Sequence, residues 1–226
     1  NMYSGIIPPL VTPVDYGGNV CEQSVKNLVD FVRPYSTALM PTLSSGEGWA
    51  LNNQQWEDMI KFTIKHSSGL SVLAGVEYRT TEEVVDKSRK AQRLGVDAVV
   101  VTTPFEKDIT QDEIYQHFEL IRKVCVPVFI YNEEAISGNS IKYETIERIC
   151  RLGNIVGIKE ASGSADFTKK LVDSELGVPV FQGWEHLCYQ SKGVEGYIVP
   201  LANLEPKVCS EMLRNPTAEK QSEIDS

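Results

Sequence analysis

The chain has 226 residues, 42% of them hydrophobic and 23% charged, the balance of a globular protein able to bury one large core. Its formal net charge of −9 argues against a surface built for nucleic acid or for an anionic membrane. Five cysteines (Cys21, Cys125, Cys150, Cys188 and Cys209) form no C-x-x-C pair and fall in apolar contexts, so they read as buried thiols of a reducing, cytoplasmic compartment.

Apolar, β-branched runs alternate with amphipathic stretches along the whole chain. Strands are expected over Gly5–Val14, Ala38–Leu43, Leu70–Val76, Ala98–Thr103, Val128–Tyr131, Ile155–Ala161, Val178–Gln182 and Tyr197–Leu201. Helices are expected near Glu22–Arg33, Gln54–His66, Thr81–Leu94, Gln111–Val124, Tyr143–Leu152, Ala165–Glu175 and Leu187–Ser191, with a last helix from about Pro206. Thr80 or Thr81 ahead of Glu82 and Glu83 reads as a helix cap with acids on the first turn. Gly69, Gly95, Gly153 and Gly177 follow helices and suit left-handed C′ positions. The polar tail Thr217–Ser226 reads as frayed. Strands alternating with helices imply a parallel sheet, and eight such units in this length favour one closed (β/α)₈ TIM barrel over residues 1–226. No apolar stretch reaches the ~18 residues of a membrane helix, and no secretory signal is read at the start.

Lys159 is the unusual residue. It ends an apolar run in Gly157-Ile158-Lys159-Glu160-Ala161, where strands of α/β proteins are buried on both faces. On alternating strand geometry it shares a face with Gly157 and Ala161, small residues that leave room for its side chain. Burial lowers an amine pKa, and a neutral amine can attack a ketone to give a Schiff base. The alternative is a surface lysine at a strand end.

A barrel keeps its site at the C-terminal ends of its strands. Ser44-Ser45-Gly46-Glu47 follows the second strand and offers hydroxyls and free backbone N–H groups suited to a carboxylate, or serves as an ordinary cap and turn. Tyr131 ends the fifth strand, as a proton shuttle or an aromatic anchor. Glu133 and Glu134 read as a solvated loop. Thr102-Thr103-Pro104-Phe105-Glu106 and Gln182-Gly183-Trp184-Glu185 end the fourth and seventh strands. His66, His117 and His186 are far apart in sequence, which argues against a metal site. No H-E-x-x-H, G-x-G-x-x-G or P-loop motif occurs.

Four segments together resemble one family: Ser4-Gly5-Ile6-Ile7-Pro8-Pro9-Leu10-Val11-Thr12-Pro13, Ser44-Ser45-Gly46-Glu47, Tyr131-Asn132 followed by Ser137-Gly138, and Gly157-Ile158-Lys159-Glu160-Ala161-Ser162-Gly163. They are similar to the dihydrodipicolinate synthase and N-acetylneuraminate lyase family of class I pyruvate-dependent aldolases, which are (β/α)₈ barrels. The resemblance implies that Lys159 is the Schiff-base lysine and Tyr131 the proton-transfer tyrosine. It also implies that Ser44 and Ser45 hold the pyruvate carboxylate, and that the Ile198 backbone lines the site. It implies no metal and no organic cofactor, a 2-oxo acid and an aldehyde as small-molecule partners, and a homo-oligomer, dimer or tetramer. Family members continue past the eighth strand with further helices, of which only one is expected in this chain.

Two departures bear on the substrate. Where the synthases carry a second tyrosine after the strand 4 proline, supplied to a neighbouring subunit's site, this chain has Glu106. Where they carry an arginine for the carboxylate of the aldehyde substrate, it has Ile136. The usual proline of that motif is Glu134, and Ala135-Ile136-Ser137-Gly138 is closer to the sialic-acid lyase branch. Losing an arginine paired with a buried carboxylate typically costs ~2–5 kcal/mol. Replacing a tyrosine by a glutamate exchanges an acid of pKa ~10 for one of ~4. The expected function is therefore a class I aldolase or lyase acting on pyruvate or a related 2-oxo acid, with an aldehyde partner different from that of the synthases. The alternatives are a non-catalytic 2-oxo-acid-binding relative, a genuine 4-hydroxy-tetrahydrodipicolinate synthase, or an unrelated phosphosugar barrel, for which Gly183 and Gly196 offer too few glycines.

Overall fold

A computed structural model describes residues 2–226 of the chain; Asn1, where the expected domain begins, lies outside the described residues. Eight strands, all parallel, follow one another around a sheet in the order β1-β8-β7-β6-β5-β4-β3-β2. They are β1 (Gly5–Ile6), β2 (Ala38–Leu39), β3 (Ser71–Val76), β4 (Ala98–Val101), β5 (Val128–Asn132), β6 (Ile155–Glu160), β7 (Val180–Gln182) and β8 (Gly196–Tyr197). The last seam, between β1 and β2, is closed by Thr37 N donating to Ile6 O at 2.9 Å and Met40 N to Pro8 O at 3.0 Å, with a parallel bridge between Pro9 and Met40. The TIM barrel read from the alternation is thus the observed architecture.

Several strands are shorter than the apolar runs that predict them. Pro8 and Pro9 lack the N–H that a ladder requires, so regular β1 stops at Ile6. β2 stops before Pro41 and Thr42, whose φ of 61° leaves the strand region. Pro200 turns the chain into a 3₁₀ segment after β8.

Nine helices are described. They are α1 (Glu22–Val32), α2 (Asn53–His66), α3 (Thr81–Leu94), α4 (Gln111–Arg122), the single turn α5 (Glu134–Ser137), α6 (Tyr143–Cys150), α7 (Ala165–Asp173), α8 (Pro206–Arg214) and α9 (Ala218–Asp225). Thr80 caps α3, accepting from Glu83 N at 3.2 Å. Gly69, Gly95, Gly153 and Gly177 all have positive φ, as their places after helices require. Each barrel helix buries one stripe: Val84, Ser88 and Ala91 on α3, and Ile114, His117, Phe118 and Ile121 on α4. His117 is a core histidine. Burial pushes its pKa down to about 4, and its ring bridges Thr102 O at 3.0 Å and Thr81 Oγ1 at 2.8 Å.

Three expectations are corrected. The tail is not frayed but forms α9. Thr217 caps it, Ile224 is buried, and the Gln221 side chain accepts from Tyr189 N at 2.8 Å. The chain therefore ends in two helices after β8 rather than one. Leu187–Ser191 forms no α-helix; a 3₁₀ turn spans Glu185–Leu187. Of the cysteines, only Cys188 and Cys209 are buried, and Cys125 is exposed on the turn before β5. Among the described residues no helix is long and apolar enough to cross a membrane.

Alternation along each strand divides the side chains into two layers. One set (Ile7, Ala38, Met40, Leu73, Ala98, Val100, Phe129, Tyr131, Phe181 and Ile198) forms the barrel's inner cluster. The intervening residues pack outward against the helices.

Candidate active site

Lys159 belongs to the inner layer by strand period, and the structure buries it to 3% exposure. On one side the ladder pairs it with Tyr131 of β5, on the other with Phe181 of β7. Its Nζ lies 4.1 Å from the Tyr131 ring centroid, and none of the described residues accepts a hydrogen bond from it. Room for its side chain comes from a glycine that the strand period does not suggest. A Cβ on Gly183, just past β7, would stand 3.1 Å from Lys159 Cε and 2.8 Å from Ala161 Cβ. The space beside Gly157, by contrast, is filled by the Phe129 ring, 2.1 Å from where a Cβ would be.

Burial lowers the Lys159 pKa to about 8, against the pull of Glu133 and then Glu77. Burial likewise raises the Tyr131 phenol well above its ordinary value, with Glu133 and Glu77 adding to the rise and the Ser44 hydroxyl opposing it. Tyr131 donates a hydrogen bond to Glu133 Oε2. Glu133 is thus no solvated loop residue; its extended backbone, two residues past Tyr131, keeps its carboxylate on the side of the phenol.

Ser44 and Ser45 open a 3₁₀ turn over Ser44–Gly46, so their N–H groups have no acceptor inside the turn. Ser44 Oγ is already engaged. It donates to Glu77, 2.8 Å from Oε1 and 3.0 Å from Oε2. Glu77 follows β3 directly and is 1% exposed. Burial raises its pKa to about 7, against the Ser44 hydrogen bond and the charge of Lys159. Ile198 is wholly buried in the inner cluster, its N–H donating to Gln182 O at 3.0 Å.

A cavity of about 460 Å³ adjoins this group. Glu77, Ile136 and Phe105 line it, with Trp49 and Ala135 at its edges and Arg79 as the sole cation among its lining residues. Glu77 is the residue shared between that lining and the carboxylates acting on Lys159. Glu106 does not join them: it is exposed and lines a second surface cavity with Arg79, Glu82 and Glu113. Within the chain, then, Lys159, Tyr131, Ser44 and Ile136 are brought together, Ser45 and Ile198 lie on the bordering turn and strand end, and Glu106 stands apart.

Sequence reasoning passed over Glu77, Arg79 and the role of Glu133. A signal for Glu77 was present. It is an acid placed immediately after an apolar strand, the rule that exposes Lys159 and Tyr131, here applied to the third strand. Glu133 had a signal as well: it stands two residues after Tyr131 in extended backbone, on the same face by the strand period.

A parallel (β/α)₈ barrel with a buried lysine, unpaired among the described residues, at the C-terminal end of β6 and a tyrosine beside it defines the class: a barrel built like the lysine-dependent aldolases. The chain belongs to the dihydrodipicolinate synthetase family, whose profile matches residues 2–225. A 4-hydroxy-tetrahydrodipicolinate synthase of Shigella dysenteriae serotype 1 is 29% identical over 219 residues, covering 94% of this chain and 75% of that protein. The structure superposes on a dihydrodipicolinate synthase from Bacillus anthracis with a TM-score of 0.92 at 25% identity, over 99% of this chain and 80% of that one. It also superposes on a chloride-inhibited dihydrodipicolinate synthase from Acinetobacter baumannii in complex with pyruvate, with a TM-score of 0.90 at 27% identity, over 98% and 79% of the two chains.

Proposed function

We propose that the protein is a class I aldolase or lyase that condenses pyruvate or a related 2-oxo acid with Lys159. The observation that carries this reading is the lysine itself, 3% exposed, held at a pKa of about 8 and lacking a hydrogen-bond acceptor among the described residues. Lys159 Nζ bonds to C2 of the 2-oxo acid, and the carbonyl oxygen departs as water. When the lysine starts as an ammonium, the product is a protonated iminium with no net proton exchanged. Tyr131 supplies and recovers protons at the intermediate, with Glu133 accepting from its hydroxyl. The iminium then acidifies C3: a C3–H bond breaks, and its proton passes by way of Tyr131. The enamine's C3 attacks the aldehyde carbon while the aldehyde oxygen takes up a proton. The reverse order cleaves that bond, and water finally hydrolyses the iminium to free Lys159. These steps require neither a metal nor an organic cofactor. Membership of the family, and the pyruvate bound to the Acinetobacter relative, support the choice of a 2-oxo acid.

For the aldehyde, Ile136, which lines the cavity and offers no charge to a carboxylate, favours a neutral or hydroxylated partner. A second reading rests on Arg79. As the cation of the same cavity, it is placed to pair with an anionic aldehyde, which favours the synthase activity carried by the names of the curated relatives. Pyruvate with borohydride is expected to leave one reduced adduct on Lys159, absent from Lys159→Ala. Turnover with a panel of aldehydes separates the remaining readings. Synthase-level kcat/KM with aspartate semialdehyde, lost in Arg79→Ala, favours the second. Adduct formation without turnover on any aldehyde defines a non-catalytic binder.

A further inference from the structure

The hydroxyl best placed to hold a substrate carboxylate is occupied by a carboxylate of the chain. Ser44 Oγ contacts both Glu77 oxygens, at 2.8 and 3.0 Å. Glu77 is 1% exposed and forms no salt bridge among the described residues, Lys159 acting on it as a charge without a hydrogen bond. The groups that face it are Ser44 from the turn after β2, Lys159 from β6, and Tyr131 and Glu133 from the end of β5. On its own side of the barrel Tyr78 follows it, and Arg79 and Glu83 line the same cavity. In this setting a second carboxylate would meet two anions and one cation beside buried groups, where like charges repel more strongly than in bulk water.

We infer that Glu77 is a specificity residue that competes with the substrate carboxylate for Ser44, so that a 2-oxo acid binds to the form of the protein in which Glu77 carries a proton. This inference rests on the 2-oxo-acid reading of the site. A protonated Glu77 no longer repels the incoming anion, and its own O–H becomes a donor. The carboxylic acid then joins Ser44 in holding the substrate instead of opposing it. Binding therefore takes up one proton whenever Glu77 starts ionised. Its pKa of about 7 sets the range in which this matters. Well below pH 7 the competition is nearly absent, and well above it the apparent affinity falls about tenfold per pH unit.

Lys159 also changes its proton count. Above about pH 8 it starts as a neutral amine, and forming the protonated iminium then takes up a proton of its own. That contribution is common to the wild type and to a Glu77 variant, so their difference isolates Glu77. The experiment measures pyruvate affinity from pH 6 to 9, by the concentration dependence of the borohydride-trapped adduct. Proton uptake is measured at pH 8 by calorimetry in two buffers of different ionisation enthalpy.

Wild type is expected to weaken about tenfold from pH 6 to pH 8 and to take up close to one proton more per pyruvate than Glu77→Gln. The Gln variant should bind about tenfold tighter than wild type at pH 8 and equally at pH 6. If the Gln variant does not fold, Glu77→Ala tests the pH independence alone, since it removes the donor as well as the charge, and Glu77→Asp should restore the pH dependence. Superimposable pH profiles for wild type and Glu77→Gln, or equal proton uptake, overturn the inference and leave the Schiff-base reading standing. The absence of any adduct in wild type across the whole pH range overturns that reading, and this inference with it.

Discussion

Strands β5 and β6 carry two buried polar clusters one residue apart in sequence, and the two are built differently. Tyr131 and Lys159 point into the barrel; Asn132 and Glu160 point out of it, toward the helices. In the outer cluster every polar group is matched. Asn132 Nδ2 donates to Glu160 Oε1 at 2.9 Å, Asn132 Oδ1 accepts from Ile141 N at 3.0 Å, and Ser162 Oγ donates to Glu160 Oε2 at 2.6 Å. Gln182, one strand along, is likewise held by Thr168, Ser191 and Trp184 N. The inner cluster leaves an amine without an acceptor, sets two carboxylates near it, and borders a cavity. Satisfied networks in low dielectric lock a structure, and unsatisfied charges there are costly. The difference is that between a joint and an open polar site, and a strand period of two places both on the same pair of strands.

Several measurements would break or sharpen this contrast. Replacing Tyr131 by Phe should have the largest effect. Adduct formation with pyruvate should persist while turnover falls by ~10²–10⁴, the range for a positioned acid–base group. Turnover within threefold of wild type would reduce Tyr131 to a packing residue.

The next effect is on stability. Folding raises the Glu77 pKa from 4.5 to about 7, so the folded state holds this proton more tightly than the unfolded state. The resulting stabilisation is complete below pH 4.5 and is lost as pH rises to about 7, a change of about 3 kcal/mol. Lys159 has the opposite sense: its pKa falls from 10.5 to about 8, so its burial weighs on the fold until pH climbs through that window. Urea unfolding at pH 5 and pH 8 should therefore show Glu77→Gln closing most of the wild type's loss over that interval; an equal loss in both proteins would contradict it.

In the outer cluster, removing one partner should affect stability alone. Asn132→Ala strands a Glu160 oxygen and the Ile141 N–H, at a cost of about 1–3 kcal/mol. Its pyruvate adduct should form as in wild type, and a lost adduct would show that the two layers are not separable. Ser191→Ala should be mildest. Gln182 keeps Thr168, so about 0.5–1.5 kcal/mol is expected in thermal unfolding, with unchanged trapping of Lys159.

Much of the architecture follows from the sequence because it depends on local periods. The βα alternation, the caps and the glycine stops are set by neighbours within a few residues, and helices such as Thr81–Leu94 begin and end where their signals stand. The same period places Lys159 and Tyr131 on one face before any contact is known. The order of the tail is not legible in the sequence, because its polar composition hides two anchors, Gln221 and Ile224, whose partners lie more than thirty residues back or in another helix. Strand lengths also escaped, since prolines and the positive φ of Thr42 cut the ladders inside continuous apolar runs.

What the sequence could not decide is who meets whom at the top of the barrel. Ser44 and Glu77 are 33 residues apart, and only the pairing of β2 with β3 brings the hydroxyl to the carboxylate. Gly183 leaves space for a lysine on a different strand, and Arg79 reaches a cavity that Ile136 also lines. Identity of residue and period of strand decide which polar groups face the barrel interior. Their charge states, their competitors and the space around them arise from burial and from contacts between distant segments, which exist only once the barrel closes.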